Sequence, residues 1–195
     1  DKLEGTELTK GGKIQNYRLK HPDGGPDIYV MGRYTTVTGG TDTIKTQDEV
    51  CERVRKYIKK GSVVFEGKLA SHLYSRYAGL SKEINGLIWA LLDTPLKLCI
   101  ERVEARRKAK GNNKPFDPRL NIADHRQIHL NMAPKVLSAG ETIIYLDHTR
   151  AADQVFEMLT KGTLDGKPIK AGYRYEEGRK LALEAAHEPH DRLRR

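Results

Sequence analysis

An α/β fold, with helices on both faces of a parallel sheet, is the class this sequence predicts, and three observations carry the prediction. SVVF (62–65), LIWALL (87–92) and TIIYL (142–146) are short apolar runs, the mark of strands buried on both faces. Segments with apolar residues at helical spacing separate them, as right-handed crossovers between parallel strands require. The chain has 195 residues, 37% of them hydrophobic, which is enough for one domain with a substantial core.

The elements follow in order. IQNYRL within 13–20 and IYVMGRY within 27–34 read as extended segments, joined by the turn-forming HPDGGP. The polar loop TTVTGGTDTIKT leads to a helix capped by Thr46, with Glu49 placed to complete a capping box. Val50, Val54, Tyr57 and Ile58 recur at helical spacing, and Gly61 closes the helix. SVVF then ends in Glu66-Gly67, and a helix carrying Leu69, Leu73, Tyr74 and Tyr77 follows. LIWALL ends at Asp93, where Thr94 as cap and Pro95 as first residue open a helix that turns Leu96, Cys99, Ile100 and Val103 inward. That helix runs into RRKAKGNNKPFDPR (106–119), a basic loop punctuated by glycine and prolines. A helix over 123–137 is limited by Pro134. TIIYL and a helix over 151–161 complete a core of 1–161. Residues 162–195 form an extension with a short helix over 176–186.

Composition narrows the functional classes. The net charge of +9 and pI near 9.5 favour polyanionic partners, nucleic acid among them. Positive residues concentrate over 102–114 and again at Arg192, Arg194 and Arg195; a solvated helix face is the plain alternative for such a run. No stretch of about 18 apolar residues could span a bilayer, and the first ten residues lack the apolar segment of a signal peptide. A cytoplasmic location, with no membrane partner, is expected. Cys51 and Cys99 fit buried thiols of a reducing compartment, since no CxxC spacing exists.

In parallel sheets ligands sit beyond the carboxyl ends of the strands, where this sequence places Glu66, Asp93 and Asp147. Glu66, followed by a glycine that lets a ligand approach the backbone, can hold Mg²⁺ or accept a proton from an attacking hydroxyl. Capping of the next helix is the equally open structural alternative. Arg102 and Arg106 lie four apart with Arg107 beside them, a set suited to gripping phosphate oxygens. Pairing with Glu101 and Glu104 is the bland reading, but the glycine- and proline-containing continuation has the form of a phosphate lid. Gly39-Gly40-Thr41-Asp42 can present backbone amides with Asp42 as anchor, and Arg33 is a further candidate for substrate contact. His125 and His129 have zinc-compatible spacing but no placed third ligand.

Taken in order, VVFEG (63–67), LLDTPLKLCIERVEARRKAKGNN (91–113) and TIIYLDH (142–148) resemble the P-loop nucleoside and nucleotide kinases, the thymidylate-kinase-like group in particular. YVMGRY (29–34), GGTD (39–42), FEG (65–67) and the ERxxxRR–GN stretch (101–112) are similar to bacteriophage 5-hydroxymethyluracil DNA kinases. The likeness covers roughly residues 17 to 160. It implies a three-layer P-loop sandwich that uses ATP and Mg²⁺ to phosphorylate a hydroxyl on a nucleotide, nucleoside or modified DNA base. By the same resemblance Glu66 is base or magnesium ligand, and Arg102, Arg106 and Arg107 hold the transferred phosphate. Arg33, Gly39, Gly40, Asp42 and Arg126 face the acceptor, and Asn112 and Asn113 the nucleotide. The Walker A loop, GxxxxGK[ST], is the main departure: it does not occur in residues 1–195, and Gly67-Lys68 is no substitute. The resemblance places it on a strand and helix upstream of Asp1. Two alternatives belong to other classes: a non-catalytic nucleic-acid-binding protein on a degenerate kinase fold, and an assembly protein with a basic tail.

Overall fold

The computed structural model describes residues 5–35, 39–67, 72–84, 87–112, 114–117 and 119–169. The chain divides into two compact units. One takes the chain up to Gly86 together with Val155–Ile169; the other contains Leu87–Gln154.

The first unit is built on a four-stranded sheet of order β1-β2-β3-β4: β1 (Gly5–Lys10), β2 (Lys13–Leu19), β3 (Asp27–Met31) and β4 (Gly61–Val64). β1, β2 and β3 are antiparallel neighbours, whereas β4 pairs with β3 in parallel. The sheet is therefore mixed, not parallel throughout as expected. The antiparallel part begins with a strand that has no apolar pattern, because β1 is exposed at nearly every position. Gly11 and Gly12, both at positive φ, make the two-residue turn that pairs it with β2.

Helix α1 (Gln47–Ile58) packs against β3 and β4, burying Val50, Cys51 and Val54. The Thr46 hydroxyl accepts the Glu49 amide at 3.2 Å, a cap that stabilises a helix by about 1 kcal/mol. Only this half of the expected capping box is seen: the Glu49 carboxylate instead pairs at 2.5 Å with Arg53, one turn on. The helix also ends before Gly61, which opens β4. Helix α2 (Tyr74–Ile84) packs on α1 and buries Tyr77 and Leu80; it begins after Leu73, and Leu69, expected on it, lies outside the described residues. Tyr77 stacks on Phe65 at 5.4 Å and donates its hydroxyl to Gln47, and burial pushes that hydroxyl up to about 12.

In the second unit β5 (Ile88–Asp93) and β6 (Thr142–Asp147) form a two-stranded parallel sheet, in register from Ile88↔Thr142 to Asp93↔Asp147. β6 is the buried strand its sequence predicts. β4 and β5 are not: β4 is half-buried throughout, and Ile88 and Leu92 of β5 are exposed while Trp89 is buried. The Trp89 indole donates to Glu141 at 2.8 Å, which gives its polar edge a partner. Helix α3 (Leu96–Ala109) has Pro95 as its cap, not its first residue, and buries no residue fully. Helix α4 (Asp124–Ser138) packs on β6 through a face with Met132, Ala133 and Val136 buried, and it spans nearly the predicted range with Pro134 inside it. Helix α5 (Ala151–Lys161) starts at the predicted residue. From Val155 it belongs to the first unit, where it leads into a small hairpin, β7 (Thr163–Leu164) and β8 (Lys167–Pro168), in the region expected to be an extension. The short helix expected over 176–186 lies outside the described residues.

Candidate active site

Glu66 stands two residues beyond the end of β4, exposed, at the carboxyl end of the one parallel pairing in its sheet. The sequence Gly39-Gly40-Thr41-Asp42 folds against it as a 3₁₀ turn (Gly40–Thr43). The Thr41 amide and hydroxyl donate to the Glu66 carbonyl at 2.8 and 2.9 Å. Two glycines make this approach possible. A Cβ on Gly40, whose φ is +61°, would lie 2.5 Å from the Glu66 carbonyl oxygen and 2.7 Å from its carboxylate Oε1. A Cβ on Gly67 would lie 2.0 Å from the Thr41 hydroxyl and 3.4 Å from Asp42 Oδ1. The space beside Gly67, expected to admit a ligand, is thus filled by Thr41. The ligand-accessible feature is the Glu66 carboxylate itself.

The other wall comes from the end of β3. The Arg33 amide donates to the Thr43 hydroxyl at 2.8 Å, and that hydroxyl donates to the Gly40 carbonyl at 2.8 Å, so the two loops are tied together. Tyr34, 44% exposed, carries its hydroxyl to a hydrogen bond with the Glu66 side chain. Loss of solvent around the ring, then the negative charge of Glu66 and that bond, hold the phenol well above the ordinary tyrosine value. Tyr34 therefore stays protonated and donates to the carboxylate. It stands inside YVMGRY, but its own residue type carries no signal for this role, and sequence reasoning selected only its neighbour Arg33.

The structure thus brings Glu66, Gly40, Asp42 and the Arg33 backbone into one cluster and adds Tyr34 and Thr41. No group of three or more His, Cys, Asp or Glu converges among the described residues. Glu66, with Asp42 across Gly67, still suits a hard cation such as Mg²⁺, which usually keeps several waters and takes one or two protein carboxylates.

The second unit holds the other predicted residues. Arg102 and Arg106 are exposed on α3, and Glu101 pairs with Lys97 at 4.0 Å. Arg107 is half-buried and tied to its own loop. It donates to the Lys114 carbonyl and lies 4.4 Å from the Phe116 ring centroid, within cation–π reach. Asn112 accepts the Lys114 amide at 3.2 Å, and Asn113 lies outside the described residues. Arg126 of α4 reaches the Thr94 carbonyl at 3.4 Å, just past β5. Asp93 and Asp147 lie at strand ends, as predicted, and the parallel register of β5 and β6 sets them side by side. The Thr149 hydroxyl and amide bond the Asp147 carboxyl at 2.7 and 2.8 Å and hold it below the usual carboxylate range.

Glu66 thus stands beyond a strand end, where ligands bind in α/β folds, with its backbone carbonyl held by the Thr41 amide and hydroxyl. Known proteins narrow the class. The chain is 34% identical over 145 residues to the 5-hmdU DNA kinase of Pseudomonas phage PaMx11, covering 73% of this chain and 76% of that protein. It is 35% identical over 130 residues to the 5-hmdU DNA kinase of Pseudomonas phage M6, covering 63% and 65%. A third relative, the 5-hmdU DNA kinase of Bacillus phage SP10, is 30% identical over 90 residues, 41% of this chain and 14% of that protein. The chain belongs to the phage 5-hmdU DNA kinase family. No protein-family model matches it, and no solved structure matches it.

Proposed function

We propose that this chain takes part in phosphoryl transfer from ATP to the hydroxymethyl oxygen of 5-hydroxymethyluracil in DNA, as a P-loop-type kinase. The observation that carries the reading is the exposed residue Glu66 beyond a parallel strand, its backbone carbonyl held by Thr41 and its carboxylate beside the Tyr34 hydroxyl. The names of its relatives support the acceptor. In this reading Glu66 accepts the proton of the acceptor hydroxyl as its oxygen bonds to the γ-phosphorus. The bond from that phosphorus to the bridging oxygen breaks, and ADP leaves. Tyr34, held protonated, orients the carboxylate. In the first unit Arg33, Gly39, Gly40 and Asp42 face the acceptor. For the second unit the family resemblance gives Arg126 an acceptor contact, Arg102, Arg106 and Arg107 the transferred phosphate, and Asn112 and Asn113 the nucleotide. Mg²⁺, held by Glu66 or Asp42, would neutralise charge on the donor's phosphate oxygens.

The test uses the native gene product, labelled ATP, and oligonucleotides carrying either one 5-hydroxymethyluracil or thymine in its place. Label is expected only on the modified oligonucleotide. Glu66→Gln should lower kcat by about 10²- to 10⁴-fold, as for loss of a general base, while DNA binding persists. Near-normal turnover of Glu66→Gln removes this carboxylate from the mechanism. Salt-dependent DNA binding by the wild type with no label transfer replaces the kinase reading with a non-catalytic binding protein.

A further inference from the structure

A concavity of about 180 Å³ opens beside this cluster, lined by Lys13, Ile14, Gln15, Arg33, Thr43 and Arg53. Three of its six residues are cations and none is an acid. Arg53 is largely buried and tied down: it donates to the Gln15 carbonyl at 2.8 Å, to Asn16 Oδ1 at 3.2 Å and to the Gln15 side chain, and pairs with Glu49 at 2.5 Å. It therefore forms a fixed floor, its charge partly balanced by Glu49. Lys13 is exposed at the start of β2, and Arg33 is half-buried after β3. No ion pair joins the side chain of either to an acid among the described residues. The net charge lining the pocket is thus positive.

Size and place decide the ligand class. Pockets that enclose a whole small-molecule ligand run from about 300 to 1,000 Å³, so this one holds a phosphate group but not a nucleotide. Arg33 directly precedes Tyr34, which bonds Glu66, and Thr43 directly follows Asp42. The pocket is therefore one residue away, on both of its walls, from the residues that surround the carboxylate. A polymer whose one nucleotide presents a hydroxyl to Glu66 carries phosphates to either side of it, at the spacing of a strand.

We propose that Lys13, Arg33 and Arg53 form a subsite for a backbone phosphodiester of the DNA strand, which anchors the strand next to the acceptor base. This rests on the reading that the acceptor is DNA. Phosphate contacts of this kind position a strand without reading its sequence, and each one neutralised adds to the salt dependence of binding.

The experiment measures DNA affinity against salt concentration by fluorescence anisotropy, for native protein and for Lys13→Gln, Arg33→Gln and Arg33→Lys. Lys167→Gln, on the exposed β8 strand, controls for general loss of charge. The two glutamine variants should weaken binding about three- to tenfold and each reduce the slope of log Kd against log salt by roughly one. Arg33→Lys should restore most of both, and Lys167→Gln should change neither. In turnover by Lys13→Gln, the KM for DNA should rise while kcat and the KM for ATP stay level. Unchanged affinity and slope in both glutamine variants overturn the subsite, as does an equal effect of Lys167→Gln. A rise in the KM for ATP with no change in DNA affinity assigns the pocket to the donor's phosphates and overturns the DNA assignment. The binding arm needs no catalysis, so absence of label transfer to 5-hydroxymethyluracil sinks the kinase reading without deciding this one.

Discussion

Gly40 is the residue on which the geometry around Glu66 turns. Two separate effects act there: a left-handed backbone, φ +61°, and a Cβ position 2.5 Å from the Glu66 carbonyl oxygen. Gly11 isolates the first effect, because it has φ +57° with nothing within 4 Å of its Cβ position. A side chain in that backbone region costs about 1–2 kcal/mol. Gly11→Ala should therefore lower stability by about 1 kcal/mol and leave activity intact. Gly40→Ala should lose more, by a further ~1–3 kcal/mol of overpacking, and should impair turnover because Glu66 must shift. Urea unfolding and kcat of the two variants, measured in parallel, check this. Equal losses in both would show that the close approach to Glu66 does not matter.

Among the elements, the hairpin after α5 is fixed by one side chain. Glu157 accepts the Thr163 hydroxyl at 2.5 Å, the Gly166 amide at 2.8 Å and the Asp165 amide at 3.2 Å. Those bonds, the Thr163 hydroxyl first, hold its carboxyl below the ordinary value of 4.5. A carboxyl depressed on folding contributes stability that is fully present above its unfolded value and is lost as pH falls through its folded one. The hairpin should thus keep its structure at neutral pH and loosen only below about 4.5. The Gly166 amide resonance, followed from pH 7 to pH 2, should move in that acid window. Glu157→Gln should abolish the titration, and a Gly166 transition that persists in that variant would assign it to another group. The same logic of local bonds explains why α1 was readable from Thr46 onward, whereas the partner of Glu49 was not. Arg53 lies at i+4 on the same helix face, and a charged pair there competes with the cap.

For the molecule as a whole, the net charge of +9 sets the behaviour towards nucleic acid. Each strand phosphate neutralised releases counterions, so affinity for an unmodified oligonucleotide should fall linearly in log Kd against log salt, with a slope of roughly 0.7 per contact on a single strand. A salt titration from about 50 to 200 mM measures it. A flat response would mean that the charge is dispersed over the surface and makes no strand contact.

The sequence by itself determined what depends on neighbours along the chain. The Thr46 cap, the periodic helices and β6 are set by residues within a few positions of one another, and so are the acidic strand ends Glu66, Asp93 and Asp147. The family likeness was carried by the same short segments. Tertiary structure alone decided the pairings. β1 lacks an apolar face because it is exposed, so only its hydrogen bonds to β2 across Gly11-Gly12 make it a strand. β4 and β5 read as fully buried because apolar composition reports what a strand can bury and not what covers it. Tyr34 and Thr41 meet Glu66 across 32 and 25 positions, a juxtaposition that no local pattern records. Periodicity is written into the chain one turn at a time, whereas a contact between distant residues exists only once the sheet has formed and brought them together.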